Sequence, residues 1–96
     1  MQKYVLSPAA KSDLDEIWDF SAGQWGLAQA ERYTNDIERS IKLIADMPGL
    51  GRAVSEAREG YFKFPAGSHM PIYRNLKSKI DIVRILHQGM DIDRHL

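Results

Sequence analysis

The order of patterns along this chain predicts an α+β fold, β-α-α-β-β-β, with a helical hairpin packed on one face of a small, mostly antiparallel sheet. Three observations carry that expectation. Two long stretches, 8–25 and about 27–46, repeat apolar residues at helical spacing with only Gly26 between them. Three apolar runs follow, Tyr61–Phe64, His69–Arg74 and Ile80–His87, joined by connections short enough for hairpins. A single strand-like run, Lys3–Leu6, precedes everything else. With 96 residues there is room for one domain, 1–96, and one modest core.

Each element has a local cause. Ser7 can cap the free N–H groups of a helix start, and Pro8 lacks the N–H that the first turn would leave unpaired. Leu14, Ile17, Trp18, Ser21 and Trp25 then form one stripe, while Asp13, Asp15, Glu16 and Asp19 lie mostly off it. Gly26 ends this helix. In the next, Ala30, Tyr33, Ile37, Ile41 and Ile44 make the buried stripe, and Met47-Pro48 stops it. Leu43 and Met47 fall off that stripe and are candidates for an exposed apolar patch. So tight a link forces the helices antiparallel.

Pro48-Gly49-Leu50-Gly51-Arg52 reads as a turn, and Ala53–Glu59, polar and without period, as loop. Pro71 interrupts the middle strand and cannot donate to a ladder, so a bulge or unpaired position is expected there. Ile80–His87 has five aliphatic residues of eight and reads as the innermost strand. By period two, Asp81, Val83, Ile85 and His87 share one face. Arg84 therefore faces away from Asp81, and its partner should come from a helix or loop. The tail, Gln88–Leu96, is polar and should pack loosely apart from Met90, Ile92 and Leu96.

Composition removes several function classes. There is no cysteine, hence no disulfide frame or thiol chemistry. His69, His87 and His95 have no ligand-like spacing, so neither a metal site nor a cofactor is expected. The glycines of 49–51 lack the Lys-Ser/Thr of a phosphate loop, and no nucleophile turn is present. Formal net charge is zero. Residues 1–48 carry five Lys/Arg against eight Asp/Glu, a balance of −3, and residues 49–96 the reverse, +3. That asymmetry suits an acidic partner segment and is weak for direct, specific nucleic-acid binding. No apolar run approaches membrane-spanning length, so the chain is expected to be soluble and cytoplasmic, with no membrane partner.

One constellation remains. Arg58, Lys63, His69, Tyr73, Arg74, Arg84 and His87 lie on or beside the expected sheet. Such groups could hold an RNA phosphate and supply acid and base for cleavage through the 2′-hydroxyl. The alternative is structural: Arg84 pairs with a carboxylate, while His87 and Tyr73 make ordinary hydrogen bonds.

Leu6-Ser7-Pro8-Ala9-Ala10, Asp13-Leu14, Ile17-Trp18, Trp25-Gly26, Arg58-Glu59-Gly60-Tyr61, Gly67-Ser68-His69, Ile72-Tyr73-Arg74 and Ile82–His87 with Met90-Asp91, in this order, resemble the ParE toxins of the RelE/ParE superfamily. The resemblance implies the same strand–helix–helix–three-strand fold. It implies the toxin of a type II toxin–antitoxin pair, of the kind that stabilises plasmids, blocking DNA gyrase and forming a hetero-oligomer with a ParD-like antitoxin. The RelE branch instead cleaves mRNA on the ribosome, commonly with a C-terminal tyrosine or histidine. Here no tyrosine follows Tyr73, and the tail places Asp91 and Asp93 where RNA phosphate would lie. A non-enzymatic gyrase inhibitor is therefore expected, with no catalytic residue, and a ribosome-dependent endoribonuclease is the alternative. Expected target contacts are Arg84, His87, Met90 and Asp91; expected antitoxin contacts are Trp18, Trp25, Leu43 and Met47.

Overall fold

The computed structural model describes residues 3–96; Met1 and Gln2 of the expected domain lie outside the described residues. Strand β1 (Tyr4–Leu6) leads into helices α1 (Pro8–Trp25) and α2 (Leu27–Asp46). Strands β2 (Arg52–Ala53), β3 (Tyr61–Lys63), β4 (His69–Asn75) and β5 (Ile80–His87) follow, and a helical turn, α3 (Ile92–His95), ends the chain. The sheet order is β1-β5-β4-β3-β2. β1 runs parallel to β5 and every other pair is antiparallel. The middle strand is therefore β4, and the expected innermost strand, β5, sits beside it.

The start of α1 does two jobs with one side chain. Ser7 Oγ accepts from the Ala10 N–H at 3.0 Å, capping the helix, and donates to the Val83 carbonyl of β5 at 2.6 Å. Gly26 is the whole link between α1 and α2, and its φ of 91° is open to glycine and strained for a residue with a Cβ. The helices cover one face of the sheet. Ala10, Ile17, Ile37, Ile41 and Ile44 meet Tyr73, Ile80, Ile82 and Ile85 there as the main core. A smaller cluster, Met70, Ile72 and Leu86, lies on the opposite face, with Val54, Tyr61, Ile92 and Leu96 packed on it. The tail thus folds back over the far face as a helical turn, with Ile92 and Leu96 half-buried and Met90 exposed.

Four expectations need correction. Residues 52–53 form a fifth strand, paired to β3 through Arg52↔Lys63 and Ala53↔Phe62, where turn and loop were expected. A two-residue exposed edge strand carries no period for a sequence to display. Part of the same stretch, Glu56–Arg58, is a 3-10 turn. Pro71 keeps its place opposite Ile85, its carbonyl accepting from the Phe64 N–H; the register shift falls after it, between Ile72 and Tyr73. The extra residue is Val83, since Ile72 pairs Arg84 while Tyr73 pairs Ile82.

That bulge reverses parity halfway along β5. Ile80, Ile82, Ile85 and His87 face the helices, whereas Asp81, Arg84 and Leu86 face the tail. The expected sharing of one face by Asp81, Val83, Ile85 and His87 does not hold. The physical reason is charge. An unbroken ladder would drive the Arg84 guanidinium into the helix-side core, at a cost of several kcal/mol, and turn Ile85 away from it. A bulge costs far less, because Ser7 satisfies the carbonyl it frees.

Candidate functional site

Arg84 sits where β5 continues beyond the end of β1. Asp13, buried on α1 at 8 % exposure, holds it with two bonds, Nε to Oδ2 at 2.7 Å and Nη2 to Oδ1 at 2.8 Å. The same carboxylate accepts the Ile85 N–H at 2.9 Å. Ser7 and Asp13 together therefore close the exposed edge of β5 that β1 is too short to cover. Asp13 raises the pKa of Arg84 by hydrogen bonding and charge, against the opposing effect of burial. The expectation that Arg84 finds its partner on a helix or loop is met by Asp13 of α1. Asp81 shares its face and is paired instead with Arg74 at 3.1 Å. The apolar stripe of α1 leaves Asp13 mostly off it, whereas the structure buries Asp13. Its spacing from Ala10 and Ile17, three back and four on, is the signal that places it on the buried side.

Apart from His69 and His87, the members of the cationic constellation do not converge. Arg84 Nη1 donates to the His95 carbonyl, and Arg58 pairs with Asp93 and donates to its carbonyl, so both arginines clasp the tail. Tyr73 is fully buried: its hydroxyl donates to the Pro48 carbonyl at 2.6 Å and accepts the Gly51 N–H at 3.0 Å. Burial raises its pKa, opposed by the Gly51 bond, so it remains a donor at neutral pH. Gly51 is required by space; a Cβ there would overlap the Tyr73 hydroxyl.

Two cavities flank the sheet. On the tail face a groove of about 700 Å³ runs between Leu50, Arg52, Val54 and Lys63 on one side and Met90, Asp91 and Ile92 on the other, with Met70 at its floor. On the helix face a smaller cavity of about 300 Å³ opens at the tip of the hairpin, lined by Phe20, Ser21, Trp25, Gln29, Tyr33, Ser68, His69 and His87. His69 and His87 stand directly opposite each other across β4 and β5, ring centroids 5.3 Å apart. Burial, then the neighbouring His87, lowers the pKa of His69, and Asp13 partly offsets this. Among the described residues, no group of three or more His, Asp, Glu or Cys could hold a metal ion.

The expected target contacts are thus divided. Met90 and Asp91 line the tail-face groove, His87 lines the cavity on the opposite face, and Arg84 is engaged by Asp13 between them. The expected antitoxin contacts are divided along the hairpin. Trp25, 63 % exposed, stands at the tip beside Phe20 and Leu27, in edge contact with Phe20. Leu43 and Met47 are exposed at the far end of α2, and Trp18 is half-buried on α1. At 1.5 Å per residue the two exposed groups lie roughly 24–30 Å apart. Phe20, Leu27 and Leu50 extend these patches and were missed, because a single apolar residue on a polar helix face carries no period.

The described residues thus form a small α+β domain with exposed apolar surface at both ends of its hairpin and a groove on the far face, and Arg58, Arg74 and Arg84 are each paired with a carboxylate. Residues 4–92 match the family model described as the ParE toxin of the type II toxin–antitoxin system parDE. The chain is 48 % identical over 95 residues to Toxin ParE1 of Mycobacterium tuberculosis, covering 98 % of this chain and 97 % of that one. It is 41 % identical over 96 residues to Toxin ParE1 of Caulobacter vibrioides, covering 100 % and 99 %. The fold matches a chain of the chromosomal ParDE toxin–antitoxin system from P. aeruginosa with a TM-score of 0.78 at 21 % identity, over 91 % of this chain and 96 % of that one. The chain belongs to the ParE toxin family of type II toxin–antitoxin systems.

Proposed function

We propose that this toxin acts by occupying DNA gyrase without breaking bonds itself, and that a ParD-like antitoxin neutralises it. The observation that carries the non-enzymatic part is the fate of the cations: Arg58, Arg74 and Arg84 each have an internal carboxylate partner. An RNA-cleaving centre needs such groups free and convergent on one phosphate. Met90 and Asp91 on the groove rim and His87 on the other face are the target contacts, with Arg84 holding the tail that carries the first two. The antitoxin lies along the hairpin from Trp25 past Trp18 to Leu43 and Met47, a span that a helix of roughly 16–20 residues covers. No helix among the described residues is long and apolar enough to cross a membrane.

The test is supercoiling by purified gyrase with increasing toxin, with and without antitoxin. Inhibition that the antitoxin reverses is expected. Full supercoiling at large molar excess of toxin, together with cuts in ribosome-bound mRNA by primer extension, would replace the inhibitor by a nuclease. Changing Trp25 and Leu43 together to Asp should abolish antitoxin capture; unchanged affinity would move the antitoxin off the hairpin.

A further inference from the structure

Hydrogen bonds around the cavity at the hairpin tip engage the Nδ1 atom of both imidazoles and fix the role of one. Ser68 N–H donates to the Tyr33 oxygen at 2.9 Å, and the Tyr33 hydroxyl shares a hydrogen bond with His69 Nδ1 at 2.6 Å. Gly89 N–H donates to His87 Nδ1 at 3.2 Å. His87 Nδ1 is an acceptor, and that ring when neutral therefore carries its proton on Nε2. That arrangement is opposite to what a metal needs from Nε2, a free lone pair.

The two rings are also as close as a ladder allows. Gln88 N–H bonds to the Ser68 carbonyl, so by alternation His69 and His87 form a non-hydrogen-bonded pair, the kind whose side chains approach most closely. The cavity they line has Phe20, Trp25 and Tyr33 as further walls, Gln29 as another donor, and no carboxylate. The nearest acid acting on His69, Asp13 of α1, is occupied by Arg84 and the Ile85 N–H.

We propose that this cavity is a carboxylate site, taking an acidic side chain next to an apolar one from the antitoxin segment that follows the hairpin. The choice of occupant rests on the antitoxin reading above and on two features of the structure: a pair of imidazoles in a cavity lined by no carboxylate, and continuity with the exposed Phe20, Trp25 and Leu27. A carboxylate in the cavity beside the rings favours the protonated form of His69, opposing the burial and the neighbouring His87 that disfavour it in the free toxin. Tyr33 and Asp13 are the other titratable groups facing the pair. Binding therefore takes up a proton and tightens as pH falls through the imidazole range.

Two measurements on the whole toxin test this. The first follows the His69 and His87 ring resonances during titration with 3-phenylpropionate and with its neutral analogue 3-phenylpropionamide. The acid should shift both rings and the amide neither; equal effects would overturn the carboxylate site. The second measures affinity for the co-encoded ParD-like protein at about pH 6 and pH 8. If binding raises one imidazole pKa by about one unit, affinity is about three- to sixfold higher at the lower pH, tenfold being the limit reached only below both the free and the bound value. His69→Gln with His87→Gln should keep binding and erase that difference, with unfolding midpoints checking that the variant folds. Antitoxin binding with no pH dependence, or one that survives the double change, overturns the assigned occupant while leaving the antitoxin reading intact. No antitoxin binding at either pH overturns that reading, and the 3-phenylpropionate titration then decides the cavity alone.

Discussion

Asp13 shows how one side chain can hold three elements in place. Its carboxylate joins α1 to the guanidinium of Arg84 and to the backbone of β5, and Arg84 in turn holds the carbonyl of His95 in α3. Removing one partner of such a pair leaves a half-buried charge uncompensated, which outweighs the modest net value of the intact pair. Asp13→Ala should lower stability by about 3 kcal/mol, the low end for buried pairs because a quarter of Arg84 is exposed. Asp13→Asn, which can still accept the Ile85 N–H, should cost less. Urea unfolding read at constant slope checks both.

His69 supplies a second prediction at this scale. Its pKa is lowered in the folded toxin, mainly by burial, so the unfolded chain binds more protons over the window between the two values. Stability is then complete above an unfolded imidazole value of about 6.5 and declines as pH falls through it toward the lower folded value. The unfolding temperature should drop between about pH 7.5 and pH 5.5, and by less in His69→Gln. An equal drop in both would assign the effect to other groups.

At the scale of elements, the bulge at Val83 and the shortness of β1 are one device. β1 pairs only with Ile80–Ile82, and past it the edge of β5 is satisfied by α1 side chains instead of a strand. Ser7→Ala removes the cap on Ala10 and the donor to Val83 together. A single cap is worth about 1 kcal/mol, and orphaning the Val83 carbonyl adds about as much, so a loss near 2 kcal/mol is expected. Ser7→Asp, which can cap but cannot donate, separates the two contributions and should recover about half, by the same unfolding measurement.

For the whole molecule, charge and exposed apolar surface set behaviour. The acidic half, 1–48, and the basic half, 49–96, are joined by the Arg84–Asp13 pair, and large apolar side chains such as Trp25, Leu27 and Met47 stand exposed. A partner that binds only the folded toxin stabilises it by mass action, about 2.7 kcal/mol at a hundredfold excess over Kd. Adding antitoxin should therefore raise the unfolding temperature in proportion to the logarithm of its concentration. No shift for Trp25→Asp combined with Leu43→Asp is the matching expectation.

The bounds of both helices, their stops and the order of strands β1, β3, β4 and β5 were legible in the sequence, because each depends on neighbours within a few residues, whereas β2 and α3 are too short to show a period. Ser7-Pro8, the stripe of Ala30, Ile37, Ile41 and Ile44, and the stop at Met47-Pro48 act locally, and local rules read them. The bulge at Val83, the burial of Asp13, the pairing of Asp81 with Arg74 and the meeting of Tyr33, His69 and His87 depend on residues tens of positions apart. Period two could not reveal that Arg84 changes faces, since the cause is a carboxylate 71 residues away. Only the packed structure, by weighing the cost of a buried charge against that of one irregular residue, decided which side chains of β5 face the helices.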